Sequence, residues 1–165
     1  MRTAFWLRPT PCRPQSVNDR LKTLALRRMV LSLEMQERER EGIVLLDCRG
    51  RLTAGSETEA FRERTRALAE SGKLNFILNL EEIDVIDSTG LGEMVALYTF
   101  LQEKNGQVKL LNLDKRHIEL LVITKLTTVF ELYDDEQDAV NSFFPDRQVR
   151  TFDLLSFVHE MKEQP

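Results

Sequence analysis

A chain of 165 residues with 42% hydrophobic content and a net charge of −4 has material for one core, not two, and is read as a single domain with tails. No window approaches the roughly 18 uninterrupted apolar residues that a membrane-spanning helix needs. The two cysteines, Cys12 and Cys48, make no disulfide framework, and His117 and His159 stand at no zinc-ligand spacing, so a reducing cytoplasm is expected.

Charge is unevenly spread. Residues 1–28 hold seven Lys or Arg against Asp19, a balance of +6, which leaves the remainder at −10. So acidic a remainder argues against a nucleic-acid partner, whose affinity rests on phosphate contacts, and favours a basic protein. Pro9, Pro11 and Pro14 break the 1–28 arm, which shows no amphipathic period and is expected to be disordered at least as far as Asn18. An Arg-rich transit peptide is a second reading of it, while a signal peptide would need an apolar stretch that is missing. The folded domain is placed at 29–144, and a tail at 145–165.

In chain order, Val30–Met35 and Ile43–Cys48 read as strands joined by the charged turn Gln36–Glu41 and Gly42, a hairpin. Ser56 with Glu59 has the spacing of a capping box, Phe61, Leu68, Ala60 and Ala67 make an inward stripe, and Gly72 ends the helix. Phe76–Leu80 and Ile83–Ile86 are apolar and β-branched. A second helix runs from about Thr89 to Lys104, apolar nearly all round, and Asn105-Gly106 stops it. Val108–Leu113 is a strand, Asp114 caps a helix to about Thr124, and Val129–Leu132 is a short last strand. Asp134 with Gln137 starts a helix whose inner face is Ala139, Val140, Phe143 and Phe144, and Pro145 ends it. Thr151–Met161 has amphipathic helical spacing. Strands alternating with helices give an α/β fold: a mixed, mostly parallel sheet of four or five strands behind an N-terminal hairpin, with about four helices and a C-terminal amphipathic one.

The most informative stretch is Val85 to Glu93, where a strand turns into a helix with Ser88 at the corner. The first N–H groups of that helix lack intrahelical partners and its dipole is positive there. From spacing alone, Asp87 and Ser88 are capping residues and Gly90 permits a tight turn or close packing. Glu81, Glu82, Asp84 and Asp87 form a carboxylate cluster, read as a solvated rim because no cation-loop pattern accompanies it. Gly90-x-Gly92-x-x-Val95 is a poor dinucleotide fingerprint, since the third small residue is a valine and nearby acids repel a pyrophosphate. No Gly-x-Ser-x-Gly elbow surrounds Ser88. A binding protein is expected, not an enzyme, with no cofactor and no metal.

Asp87-Ser88-Thr89-Gly90-Leu91-Gly92 resembles the Asp-Ser-(Ser/Thr)-Gly-Leu-Gly element of the STAS domain of bacterial anti-sigma factor antagonists. Gly50-Arg-Leu52, the strands at 76–80 and 108–113, and Ile123 to Phe130 ahead of Tyr133 to Glu136 are similar to other family elements, in family order. The resemblance implies that Ser88, with Thr89 as second choice, is phosphorylated by an anti-sigma factor with GHKL-type serine kinase activity. A metal-dependent serine phosphatase would reverse it. It also implies a partner-binding set of Asp84, Asp87, Ser88, Thr89, Gly90, Leu91, Met94 and Val95, in a cytoplasmic regulator of sigma-factor-dependent transcription. The family contains another class, constitutive accessory or scaffold subunits of lipid transport ATPases or stress-sensing assemblies. Family members commonly begin a few residues before the first strand, so Met29 is expected to be the start. Oligomeric state is not legible.

Overall fold

The computed structural model describes residues 33–163. The basic arm, the expected start at Met29 and the beginning of the first predicted strand lie outside these residues. Strands β1 (Leu33–Arg40), β2 (Ile43–Leu52), β3 (Asn75–Ile86), β4 (Gln107–Leu111) and β5 (Leu132–Tyr133) form one sheet in the order β1-β2-β3-β4-β5. The first pair is antiparallel and the others are parallel. Helices α1 (Ser56–Glu70), α2 (Ser88–Glu103) and α3 (Lys115–Ile123) connect successive parallel strands, and α4 (Glu136–Asn141) and α5 (Leu154–Glu163) follow β5. The mixed α/β architecture with an opening hairpin is as expected.

The strand order never reverses, and crossovers between parallel strands are right-handed, so α1, α2 and α3 must lie on one face. The larger core cluster unites them: Phe61 of α1, Met94 and Leu101 of α2 and Leu121 of α3 pack against Val44, Leu46, Phe76, Leu78 and Leu110. The opposite face receives the short α4, whose Ala139 and Val140 meet Ile43, Leu45, Ile77, Leu111 and Tyr133, and the segment after it, through Phe143, Phe144 and Val149. Beyond Leu45 and Ile77 this face turns polar, with Asn79 donating to Asp47 at 2.8 Å.

The charged stretch Gln36–Arg40, expected as a turn, is strand. Only Glu41 and Gly42 make the turn, with φ of +53° and +80°, the two positive values that a type I′ hairpin turn requires. Leu33 and Met35 pack on the core, and the charged stretch after them is held by ion pairs. Arg38 grips Asp47 at 2.5 Å and Glu136 of α4 at 3.1 Å, Arg40 also meets Glu136, and Glu37 pairs with Arg64 and Lys73. β3, expected as two short strands, is one strand of 12 residues. Its register with β2 slips by one residue twice, between Asn79 and Glu82 and between Ile83 and Val85, so Glu81-Glu82 and Asp84-Val85 each present two successive exposed residues.

In α1 the expected capping box does not form, since Ser56 bonds to Glu57 and no side chain caps the helix. The inner face is Thr58, Phe61, Thr65, Leu68 and Ala69, while Ala60 and Ala67 are exposed. Counted from Phe61, positions −3, +4, +7 and +8 share its side, whereas −1 and +6 point well away. Gly72, at φ +97°, ends the helix by a Schellman arrangement, with its own N–H on the Ala69 carbonyl and the Lys73 N–H on Leu68. Asp114 caps α3 as expected, accepting from the His117 N–H at 2.9 Å. The cap of α4 is Asp135, one residue beyond the expected Asp134, and the last strand is Leu132–Tyr133 after a 3₁₀ turn at Leu126–Thr128. The C-terminal helix starts at Leu154, because Asp153 accepts both the N–H and the hydroxyl of Ser156. Cys48 is buried, and burial pushes its thiol pKa up to about 12, so it stays protonated and unreactive. No helix among the described residues is long and apolar enough to cross a membrane.

Candidate functional site

β3 ends at Ile86 and α2 begins at Ser88, so Asp87 is the corner residue, in extended backbone geometry. Its carboxylate is fully engaged. One oxygen accepts from the Gly90 N–H at 2.7 Å, capping α2, and the other accepts from the Ala54 N–H at 2.8 Å. The Asp87 N–H in turn donates to the Leu52 carbonyl at 3.3 Å. The turn after β2 and the turn after β3 are thereby tied together. The Gly90 and Ala54 donors hold the Asp87 carboxyl below the usual carboxylate range.

Ser88 does not share that work. Its side chain is exposed and its hydroxyl makes no hydrogen bond among the described residues. The two residues that spacing alone assigned to capping therefore divide, Asp87 serving the fold and Ser88 standing free. Thr89 is also exposed.

The glycines divide in the same way. A methyl group at Gly90 would overlap the Leu52 carbonyl oxygen, so only glycine lets α2 lie this close to β2. At Gly92, one helical turn beyond Ser88, a methyl group would meet nothing within 4 Å. Glycine inside a helix costs about 1 kcal/mol relative to alanine, and no contact within the described chain explains that cost at Gly92.

The expected partner-binding set separates into two layers. Asp84, Ser88 and Thr89 are exposed and Val95 is half-buried. Asp87 is tied into the frame as described, Gly90 is buried, and Leu91 and Met94 are 6% and 1% exposed within the core. Those last two hold the corner in place from beneath and present no side chain to a visitor. Two residues outside the expected set are exposed beside it: Val85, 40% exposed on the second bulge of β3, and Gly92. The bulges could have been suspected from the broken alternation of Glu81 to Ile86, where acids interrupt an apolar run.

The rim is negative. Glu81, Glu82, Asp84 and Asp87 lie along 81–87, and among the described residues Glu82 alone of them has an ion-pair partner, Arg49 at 2.5 Å. On the flank, Glu93 of α2 pairs with Arg62 of α1, fixing the first turn of α2 against its neighbour. No three His, Cys, Asp or Glu side chains among the described residues converge to hold a metal ion.

This geometry has counterparts. The STAS domain model matches residues 34–139. An anti-sigma-B factor antagonist of Bacillus subtilis is 28% identical over 102 residues, which are 62% of this chain and 92% of that protein. The crystal structure of an anti-sigma factor antagonist from Mycobacterium paratuberculosis superposes with a TM-score of 0.59 at 18% identity, over 67% of this chain and 92% of the other. The phosphorylated form of the Bacillus cell fate determinant SpoIIAA superposes at 0.55 with 20% identity, over 67% and 99%. The chain belongs to the STAS domain family, and its relatives are anti-sigma factor antagonists.

Proposed function

We propose that this protein is an anti-sigma factor antagonist whose partner-binding surface is centred on Ser88 and is switched off by phosphorylation there. The observation that carries this reading is the unbonded, exposed Ser88 hydroxyl beside a cap supplied entirely by Asp87. The partner is an anti-sigma factor with GHKL-type serine kinase activity, and a metal-dependent serine phosphatase resets the switch. Asp84, Val85, Ser88, Thr89, Gly92 and Val95 form the contact surface, while Asp87, Gly90, Leu91 and Met94 hold its shape. The existence of a phosphorylated form of SpoIIAA, a protein of this fold, supports the reading.

The mechanism is electrostatic and local. Phosphorylation adds roughly −1.5 to −2 charges to a rim that is already acidic. One like-charge contact at about 4 Å costs on the order of 1 kcal/mol in water and about 4 at an effective dielectric near 20. Since about 1.4 kcal/mol is tenfold in affinity, a partly dehydrated interface loses orders of magnitude of binding without any refolding. The positive dipole end of α2 accommodates the phosphate, so the modified domain stays folded. Incubation with the kinase and ATP followed by phosphopeptide mapping tests this directly: phosphate on Ser88 is expected, and phosphate confined to Thr89 or absent contradicts it.

A further inference from the structure

The C-terminal helix α5 carries an apolar stripe that nothing among the described residues covers. It lies beyond the matched domain, which ends at residue 139, and the Phe152 N–H on the Leu132 carbonyl at 3.2 Å ties its approach to the edge of β5. None of its side chains is buried: Leu154, Phe157, Val158 and Met161 are half-exposed, and Leu155 is 84% exposed. These positions share one side of the helix, since residues three, four and seven apart stack on a common face. Asp153 starts the helix by accepting the N–H and the hydroxyl of Ser156, so the stripe is presented on a capped helix.

The polar side of α5 bears Glu160 and Glu163, with Lys162 its single lysine or arginine. A helix that lies on an anionic bilayer carries Lys and Arg on that side, so a membrane surface is a poor occupant. The stripe is instead complementary to itself. Leu154, Phe157, Val158 and Met161 are symmetric about the midpoint between Phe157 and Val158, so two copies laid antiparallel about that point set Leu154 against Met161 and Phe157 against Val158, each pair twice. The same register sets Asp153 against Lys162 at both ends, and neither has an ion-pair partner among the described residues. A parallel pair would set Asp153 on Asp153 and Lys162 on Lys162. Beside Leu154 lies a cleft of about 170 Å³, whose lining includes Phe130, Leu132 and Phe152, at the point where the second copy's Met161 arrives in the antiparallel register.

We propose that α5 is the interface of a homodimer, two copies packing antiparallel about a two-fold axis between Phe157 and Val158, with reciprocal Asp153–Lys162 pairs at the ends. The contact is isologous, as a two-fold axis demands, because each residue meets the symmetric position of the other copy. A stripe this short buries less than the roughly 1,200 Å² of a standard stable interface, so the dimer is weak and depends on concentration. The stripe shares no residue with the Ser88 surface, so substitutions separate dimerisation from partner binding.

The test is sedimentation equilibrium of the full chain across the micromolar range, with disulfide trapping to read the register. A reversible monomer–dimer equilibrium is expected, and the double variant Leu155→Glu with Val158→Glu should be monomeric. Because no side chain of α5 is buried, that variant should fold like the parent by circular dichroism. Lys162→Glu sets acid against acid at both ends and should weaken association at least threefold. For trapping, Cys12→Ser removes the second cysteine, and Cys48 is buried. In that background Val158→Cys should cross-link readily, since the two copies of position 158 meet near the axis. Two copies of Lys162→Cys stand about 13 Å apart along the helices and should not. A chain that stays monomeric, which leaves the stripe to a different protein, a dimer unchanged in the double variant, or equal trapping at positions 158 and 162 overturns the proposal.

Discussion

At the end of β3, Asp87 gives both carboxylate oxygens to backbone N–H groups of two different turns, whereas the hydroxyl of Ser88 beside it bonds to nothing among the described residues. The pair of glycines that follows repeats the contrast, Gly90 pressed against Leu52 and Gly92 bare. One short segment therefore holds two populations of residues. The first builds the corner and should be sensitive in folding assays. The second is free of structural duty and should be sensitive only when a partner is present.

Substitutions that separate the populations should span a graded range of stability. Gly90→Ala is the most severe, since its methyl group meets a backbone carbonyl that cannot rotate away; overpacking of this kind costs about 3 kcal/mol, read as a lower urea midpoint. Asp87→Ala removes the α2 cap and the Ala54 tie, and should cost about 1–2 kcal/mol. The Asp87 carboxyl is held below its ordinary value in the folded state, so its contribution is complete above the unfolded pKa of about 3.9 and is lost as pH falls through the lower folded value. Comparing Asp87→Asn with the parent through that acid window should show a shallower loss of stability in the variant. An identical slope in both would remove Asp87 from the account.

Gly92→Ala should act in the opposite direction from Gly90→Ala, raising stability by about 1 kcal/mol, because it gains helix propensity and meets no neighbour. A destabilised Gly92→Ala would mean that the space above this residue is filled. Ser88→Ala is the smallest change, within about 0.5 kcal/mol of the parent, as for surface positions without a structural partner. A larger loss in thermal melts would return Ser88 to a capping role.

The α/β alternation, the hairpin and the position of the corner were legible in the sequence because each is written in local signals: β-branched runs, a two-period of turn residues, and Asp-Ser at a helix start. Contacts made at a distance were not. Gln36–Arg40 reads as a solvated turn because its stabilising partners, Asp47 of β2, Glu136 of α4, Arg64 of α1 and Lys73 of the turn after α1, come from elsewhere in the chain. The bulges of β3 break the alternation that marks a strand, so one strand reads as two. At the site, Ser88 was identifiable, but the burial of Leu91 and Met94 depends on which side of α2 faces the sheet, and an all-round apolar helix does not disclose that. Likewise, spacing made Asp87 and Ser88 equal candidates for the cap; the helix starts at Ser88 with Asp87 accepting from the Gly90 N–H, and the second bond of Asp87, to Ala54 of another turn, was not legible in local sequence.

The central claim is that the Ser88 hydroxyl serves recognition and not architecture. Calorimetric titration of the anti-sigma partner with the parent, Ser88→Ala and Ser88→Glu chains, all of matching thermal stability, tests it most directly. Parent-like affinity for the alanine variant and at least a tenfold loss for the glutamate variant are expected; equal affinities for the two variants would contradict the account.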